Sequence, residues 1–198
     1  ASSLADYYSE LGKVTKTIES PRDLMVVPEI TQYGPLDGEF ENTADILLLV
    51  RPDFTIFDEV RKGGDFEVFS DMRLAGVGMV GVVHAAGPLD ALQRFLSRTE
   101  LGMIPSIIDT IIFIKEGEIK TVYNVTMTVK VPTGMVGEDL SRPVVEIRDF
   151  ETGELRFEIF TFGNESVIVP LEEVEESTSI QELAIDTIYH YIRRYDKG

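Results

Sequence analysis

Three short stretches of the chain deliver ionisable side chains where a strand should end. In RPDFTIFDEVR, Arg51 to Arg61, the apolar run Phe54 to Phe57 is followed by Asp58 and Glu59. In TIESPRDL, Thr17 to Leu24, a strand-like segment ends on Glu19, just before a proline loop. In MVGVVH, Met79 to His84, an apolar run ends on one of only two histidines in 198 residues. An Asp at such a position can hold the water shell of Mg²⁺, and a neighbouring Glu can orient an attacking water. Glu19 suits a general base for water, and His84 suits a donor to a phosphate oxygen. Each residue also suits a simpler role. Asp58 and Glu59 fit a solvated strand end, Glu19 fits a loop carboxylate, and His84 fits a histidine satisfied by a backbone carbonyl.

Other chemistries find less support. Gly76, Gly78 and Gly81 spell GxGxxG, but they precede a strand end and open no helix, so a dinucleotide fingerprint is rejected. No serine sits on a nucleophile elbow. No His, Asp or Glu cluster has metal-ligand spacing. His190 receives no role.

The elements that must position these residues alternate. Leu4, Tyr7, Tyr8 and Leu11 recur at helical spacing, with Gly12 as the C-cap. Residues 13–19 read as a strand, followed by a proline-punctuated loop. Thr43 is expected to cap a short helix, ADILLLV, which stops near Arg51 because Pro52 follows. FTIF is a strand, GDFEVFSDMRLAG a helix, and Met79 to Val83 a buried strand ending at His84. Pro88 opens the helix PLDALQRFLSR, and TIIFI is one more strand. This order predicts α/β architecture with a mostly parallel sheet over residues 1–116. Ligands on such sheets bind beyond the carboxyl ends of the strands. Residues 117–171 then alternate apolar and polar, as in β-hairpins. Residues 172–198 predict a terminal helix, opened by a capping box at Ser179 and Glu182.

Bulk properties narrow the function classes. The net charge of -17 argues against a broad nucleic-acid or acidic-membrane footprint on this chain, which leaves a local basic patch or another module to grip nucleic acid. The absence of cysteine excludes disulfides and thiolate metal sites. No apolar run is long enough to span a membrane, and no signal peptide is present, so a cytoplasmic protein is expected. A helix that starts at Ala1 with no lead-in suggests a chain cut from a longer one.

Taken in order, Thr17-Ile18-Glu19 with Asp23-Leu24, Arg51-Pro52-Asp53 through Glu59-Val60-Arg61, Met72-Arg73, His84-Ala85 and Asp90-Ala91 with Arg94 resemble the hexameric motor ATPases of type IV secretion and type IV pili. Their Asp box, Walker B and histidine box occur in this order. A closer resemblance runs through KTIESPRDL, PEITQYGPLDG, ADILLLVRPDFTIFDEVRK, MRLAGVGMVGVVHA, IDTIIFIKEGEI, TVKVPTGM and VEIRDFETGEL. These are similar to archaeal PIN–ATPase–KH proteins. The resemblance implies a RecA-like P-loop ATPase core acting on ATP with Mg²⁺, in a ring (hexameric) homo-oligomer. Nucleic acid would be handled by PIN and KH modules outside this chain. It also implies roles: Glu19 as the acidic-box glutamate that activates water, Asp58 and Glu59 as Walker B, with Mg²⁺ held at Asp58 through water, and His84 as a γ-phosphate sensor. Arg61 and Arg73 become nucleotide contacts, and Arg51, Arg61, Arg73 and Arg94 are candidate arginine fingers. Ser20 and Asp58 depart from the secretion motors, which carry Asp and Gly there, and fit the archaeal proteins better. No G-x-x-x-x-G-K-[ST] phosphate loop occurs, so this chain alone is expected to be inactive. The alternatives are a secretion or pilus motor and a non-catalytic oligomerisation domain.

Overall fold

The computed structural model describes residues 1–135, 140–163 and 165–171. The predicted terminal helix and His190 lie outside the described residues.

A four-stranded parallel sheet carries the candidate residues. Its order is β2-β1-β3-β4, with β1 Thr15–Ile18, β2 Thr31–Tyr33, β3 Phe54–Phe57 and β4 Gly78–Gly81. All three pairings are parallel, so the carboxyl ends of the strands share one edge. β2 lies inside the segment expected to be a proline loop. It is only three residues long, too short to show an alternation.

Helices connect the strands. α1, Ser2–Glu10, packs on β1 and β3, burying Ala5 and stacking Tyr8 on Phe54 with ring centroids 3.7 Å apart. It ends as expected at Gly12, whose φ of +75° suits a residue without Cβ. The amides of Gly12 and Lys13 close on the carbonyls of Ser9 and Tyr8, a Schellman arrangement. α2, Phe40–Val50, starts earlier than predicted. Thr43 is not its cap: its hydroxyl donates to the Gly34 carbonyl and accepts the Leu36 amide, both at 2.9 Å, so it secures the loop before the helix. α3, Gly63–Leu74, and α4, Pro88–Leu96, follow the predicted pattern.

β4 differs from expectation. It stops at Gly81 and is half-buried, so His84 lies three residues beyond it and is largely exposed. The reason is its place at the sheet edge, where only one side is paired. The two glycines on this strand are packing residues: a Cβ on Gly78 would lie 2.5 Å from the Phe54 ring, and one on Gly81 would lie 2.8 Å from Phe69. The strand setting agrees with the rejection of a dinucleotide fingerprint.

After a 3₁₀ turn, Leu101–Met103, and a short helix α5, Ile104–Ile107, the chain enters a second sheet. β5 Thr110–Lys115, β6 Glu118–Lys130, β7 Arg142–Asp149, β8 Leu155–Phe162 and β9 Glu165–Pro170 form an antiparallel meander in chain order. TIIFI is a strand, as expected, but it opens this meander and does not extend the parallel sheet. One core joins the two parts: Phe66, Met72, Phe95 and Ile104 pack with Tyr123, Val145, Ile147 and Ile159. No helix among the described residues is long and apolar enough to cross a membrane.

Inside the meander, Glu146 and Glu158 stand directly opposite each other on β7 and β8, a repulsive pair unless a cation intervenes. Lys130 pairs with both, at 2.7 Å from Glu158, and Arg148 reaches Glu146 at 2.7 Å. Glu158, fully buried, also accepts the amide and hydroxyl of Thr133, which fixes the loop after β6. Burial alone would raise both carboxyls, but hydrogen bonds led by Lys130 outweigh it and hold both below their usual range. A lowered folded value means stability that is present above the ordinary 4.5 and lost as pH falls through the folded value. Glu158→Gln should therefore destabilise the protein at neutral pH by about 3 kcal/mol. It should also flatten the loss of stability on acidification, as read by urea unfolding at several pH values.

Candidate functional site

The carboxyl edge of the parallel sheet gathers the acidic residues read from the sequence. β1 hands on to Glu19, whose amide donates to the Tyr33 carbonyl at 2.9 Å. β3 hands on to Asp58, whose amide donates to Ile18 at 2.9 Å. Glu59 follows with φ +61°, a left-handed backbone that turns its side chain toward the segment after β4. That segment is fixed by a bond from the Val60 amide to the Val82 carbonyl, at 2.8 Å.

Glu19 is fully buried and both its oxygens are engaged. One accepts from the Thr17 hydroxyl and from Gln32 Nε2 at 3.0 Å. The other accepts the amides of Asp23 and Leu24, each at 2.9 Å. The carboxylate thus folds the 20–24 loop back onto the sheet edge, which makes it a loop anchor in this arrangement.

Glu59 is partly exposed and held by two side chains. His84 Nε2 lies 3.0 Å from one oxygen, and Arg61 Nη2 lies 2.7 Å from the other. Arg61 also donates to the Ser20 carbonyl at 2.6 Å, tying Glu59 to the loop that Glu19 anchors. Asp65, at the start of α3, accepts the amides of Arg61 and Lys62 and so fixes the turn after Glu59.

Asp58 has no such partners. Burial raises its carboxyl above the usual value of 3.8, and the negative charges of Asp23, Glu19 and Glu59 push it further. A carboxylate with no side-chain partner, set among other negative charges, suits a hydrated divalent cation better than direct chelation. Among the described residues no group of three or more His, Asp or Glu side chains is arranged to hold a metal ion.

The arginines separate. Arg61 and Arg94 belong to this edge, whereas Arg73 pairs with Asp109 at 2.8 Å and lines a different region. That region is a cavity of about 780 Å³ along the unpaired side of β4, bordered by Tyr8, Gly78, Val80, Phe95 and Ile111. Glu19, Asp58, Glu59 and His84 do not line it. Arg51 is exposed at the end of α2, with φ +52°.

The chain is similar to parts of two archaeal proteins. It is 62% identical over 170 residues to an uncharacterized KH and PIN-domain containing protein of Methanocaldococcus jannaschii, covering 86% of this chain and 26% of that protein. It is 47% identical over 183 residues to the Holliday junction branch migration ATPase PINA of Sulfolobus acidocaldarius, covering 92% of this chain and 36% of that protein. The chain therefore spans only about a quarter to a third of the length of these relatives. No family model matches it.

Gln32 was not singled out from the sequence. It donates to Glu19 and, at 2.9 Å, to the Leu24 carbonyl, so it joins both ends of the loop. Its only sequence signal was its place between Thr31 and Tyr33, in a strand too short to recognise.

Two outcomes follow from this geometry. Glu19→Gln places an amide donor against the donors that now serve a carboxylate. It should destabilise the protein by about 1–3 kcal/mol, with faster hydrogen exchange at Asp23 and Leu24. Asp58 behaves oppositely. With its folded value raised, ionised Asp58 opposes folding as pH rises above 3.8. Asp58→Asn should raise the melting temperature at neutral pH, and the gain should vanish at acid pH.

Proposed function

We propose that this chain is the distal part of an ATP-hydrolysing site in a nucleic-acid-associated protein of the PIN–ATPase–KH kind, with a RecA-like P-loop core. The observation that carries this reading is the placement of Glu59. It sits between His84 and Arg61 and directly follows Asp58, at the edge where parallel sheets bind ligands. The similarity to a relative named as an ATPase supports the same reading.

Asp58 fits the water shell of Mg²⁺, since it is negatively charged, lacks a side-chain partner and sits in a field of like charges. When bound, Mg²⁺ would offset phosphate charge as the γ-phosphoryl group leaves. For the triphosphate itself the fit is partial. The edge offers His84 and Arg61, whereas the amide cradle and lysine of a phosphate loop have no counterpart in these 198 residues. A longer polypeptide would supply them.

In this reading Glu59 orients the attacking water, because Glu19 has all its acceptor capacity near the sheet edge taken up by four donors. His84, exposed and mobile about its side-chain bonds, turns from Glu59 to a phosphate oxygen. Arg61 is the nucleotide-side cation, and Arg73 lies further away with Asp109. The working unit is a ring of copies, with nucleic acid gripped by modules outside this acidic chain.

A second reading, an oligomerisation domain without catalysis, draws on one observation. Ile46, Leu49 and Val50 form an exposed apolar stripe on α2, and Ile112 and Ile114 are exposed on β5.

Turnover by the full-length protein separates the two. Glu59→Gln should lower kcat for Mg²⁺-dependent ATP hydrolysis at least about a hundredfold, while nucleotide affinity by calorimetry stays within about threefold. Retained turnover would remove Glu59 from the reaction. A wild-type protein that binds no nucleotide but self-associates would favour the oligomerisation domain.

A further inference from the structure

The Glu59–His84 contact joins two segments that follow different strands. Their backbones pair only as far as Val60 and Val82, so neither Arg61 nor His84 is fixed by that pairing. The next link between them comes from α4. Arg94 donates from Nη2 to the Arg61 carbonyl at 2.6 Å and from Nη1 to the His84 carbonyl at 3.4 Å. One planar guanidinium therefore spans the backbones of both residues that hold Glu59.

Arg94 is itself held in place. Its guanidinium lies over the Phe66 ring, 4.7 Å from the centroid, and Phe66 is buried with Phe95 against it. Arg98, one turn further along, donates to the Arg94 carbonyl at 2.6 Å and shares the same ring at 5.0 Å. A residue braced on three sides within its own subunit is poorly placed to reach a neighbouring one.

We infer that Arg94 is a positioning residue: it sets the spacing between the Arg61 and His84 backbones and thereby aligns their side chains on Glu59. Its bearing on turnover rests on the proposed ATPase reading, but its action on the Glu59–His84 pair does not.

The test is NMR of the histidine ring nitrogens in the 198-residue chain, in a His190→Gln background so that His84 is the sole signal. Glu59→Gln supplies the reference for a ring without its carboxylate partner. Arg94→Gln should move the His84 nitrogen shifts most of the way to that reference. Arg94→Lys, able to reach one carbonyl, should fall between, and it carries the test if Arg94→Gln does not fold. Arg98→Gln removes the other cation from Phe66 and one brace on Arg94, and should move the His84 signals far less than Arg94→Gln does. In full-length protein, Arg94→Gln should lower kcat about tenfold or more with KM within about twofold. Unchanged His84 shifts in both Arg94 variants would overturn the inference. A wild-type protein without turnover would sink the ATPase reading while the ring signals still decide the role of Arg94.

Discussion

Like charges crowd the carboxyl edge of the parallel sheet, and much of the local structure answers that crowding. Burial raises the proton affinity of Asp58, and the negative charges of Asp23, Glu19 and Glu59 lie close enough to raise it further. The chain answers residue by residue. Glu19 is buried under four donors, two of them backbone amides, so the 20–24 loop has to curl over it. Glu59 is bracketed by an arginine and an imidazole, which obliges the segment after β4 to run alongside the turn after β3. Asp58, half-buried, is left without a compensating side chain, as is the exposed Asp23. A fold selected only for stability would not keep an unanswered carboxylate there, which is the physical ground for reading this edge as a site.

The meander solves a similar problem differently. Glu146 and Glu158 face each other across a strand pair, Lys130 pairs with both from β6, and Arg148 supplies the second cation at Glu146. There the charges are fully answered from within the sheet, and the result is a fixed loop after β6. The shared core holds this sheet against α5, which packs in turn on α3.

The parts legible in sequence were those with a period or a punctuation mark. The helix ending at Gly12, the FTIF strand delivering Asp58 and Glu59, Pro88 opening α4, and the alternation through Val125 and Ile147 all follow local rules. What escaped were features set by tertiary partners. β2 is three residues recruited to the sheet by pairing with β1. Thr43 looked like a cap because caps and loop-securing hydroxyls use the same residue type. The run before His84 reads as a buried strand because it is apolar, but it lies at the sheet edge, is paired on one side and is only half-buried. TIIFI showed its strand character but not its partner, since parallel and antiparallel edge strands read alike. The site residues themselves were visible as types at strand ends. Their mutual bonds, and the part played by Gln32 and Arg94, depend on loops meeting in space.

The left-handed backbone at Glu59 has an evolutionary consequence. A side chain at φ +61° costs about 1 kcal/mol relative to glycine, which adopts that conformation freely. Random drift under selection for folding alone would therefore enrich glycine or asparagine at this position. A lineage that keeps glutamate there is spending stability on a carboxylate. The identity of residue 59 across diverging copies thus records whether the edge is still in use, independently of how well the rest of the domain is preserved.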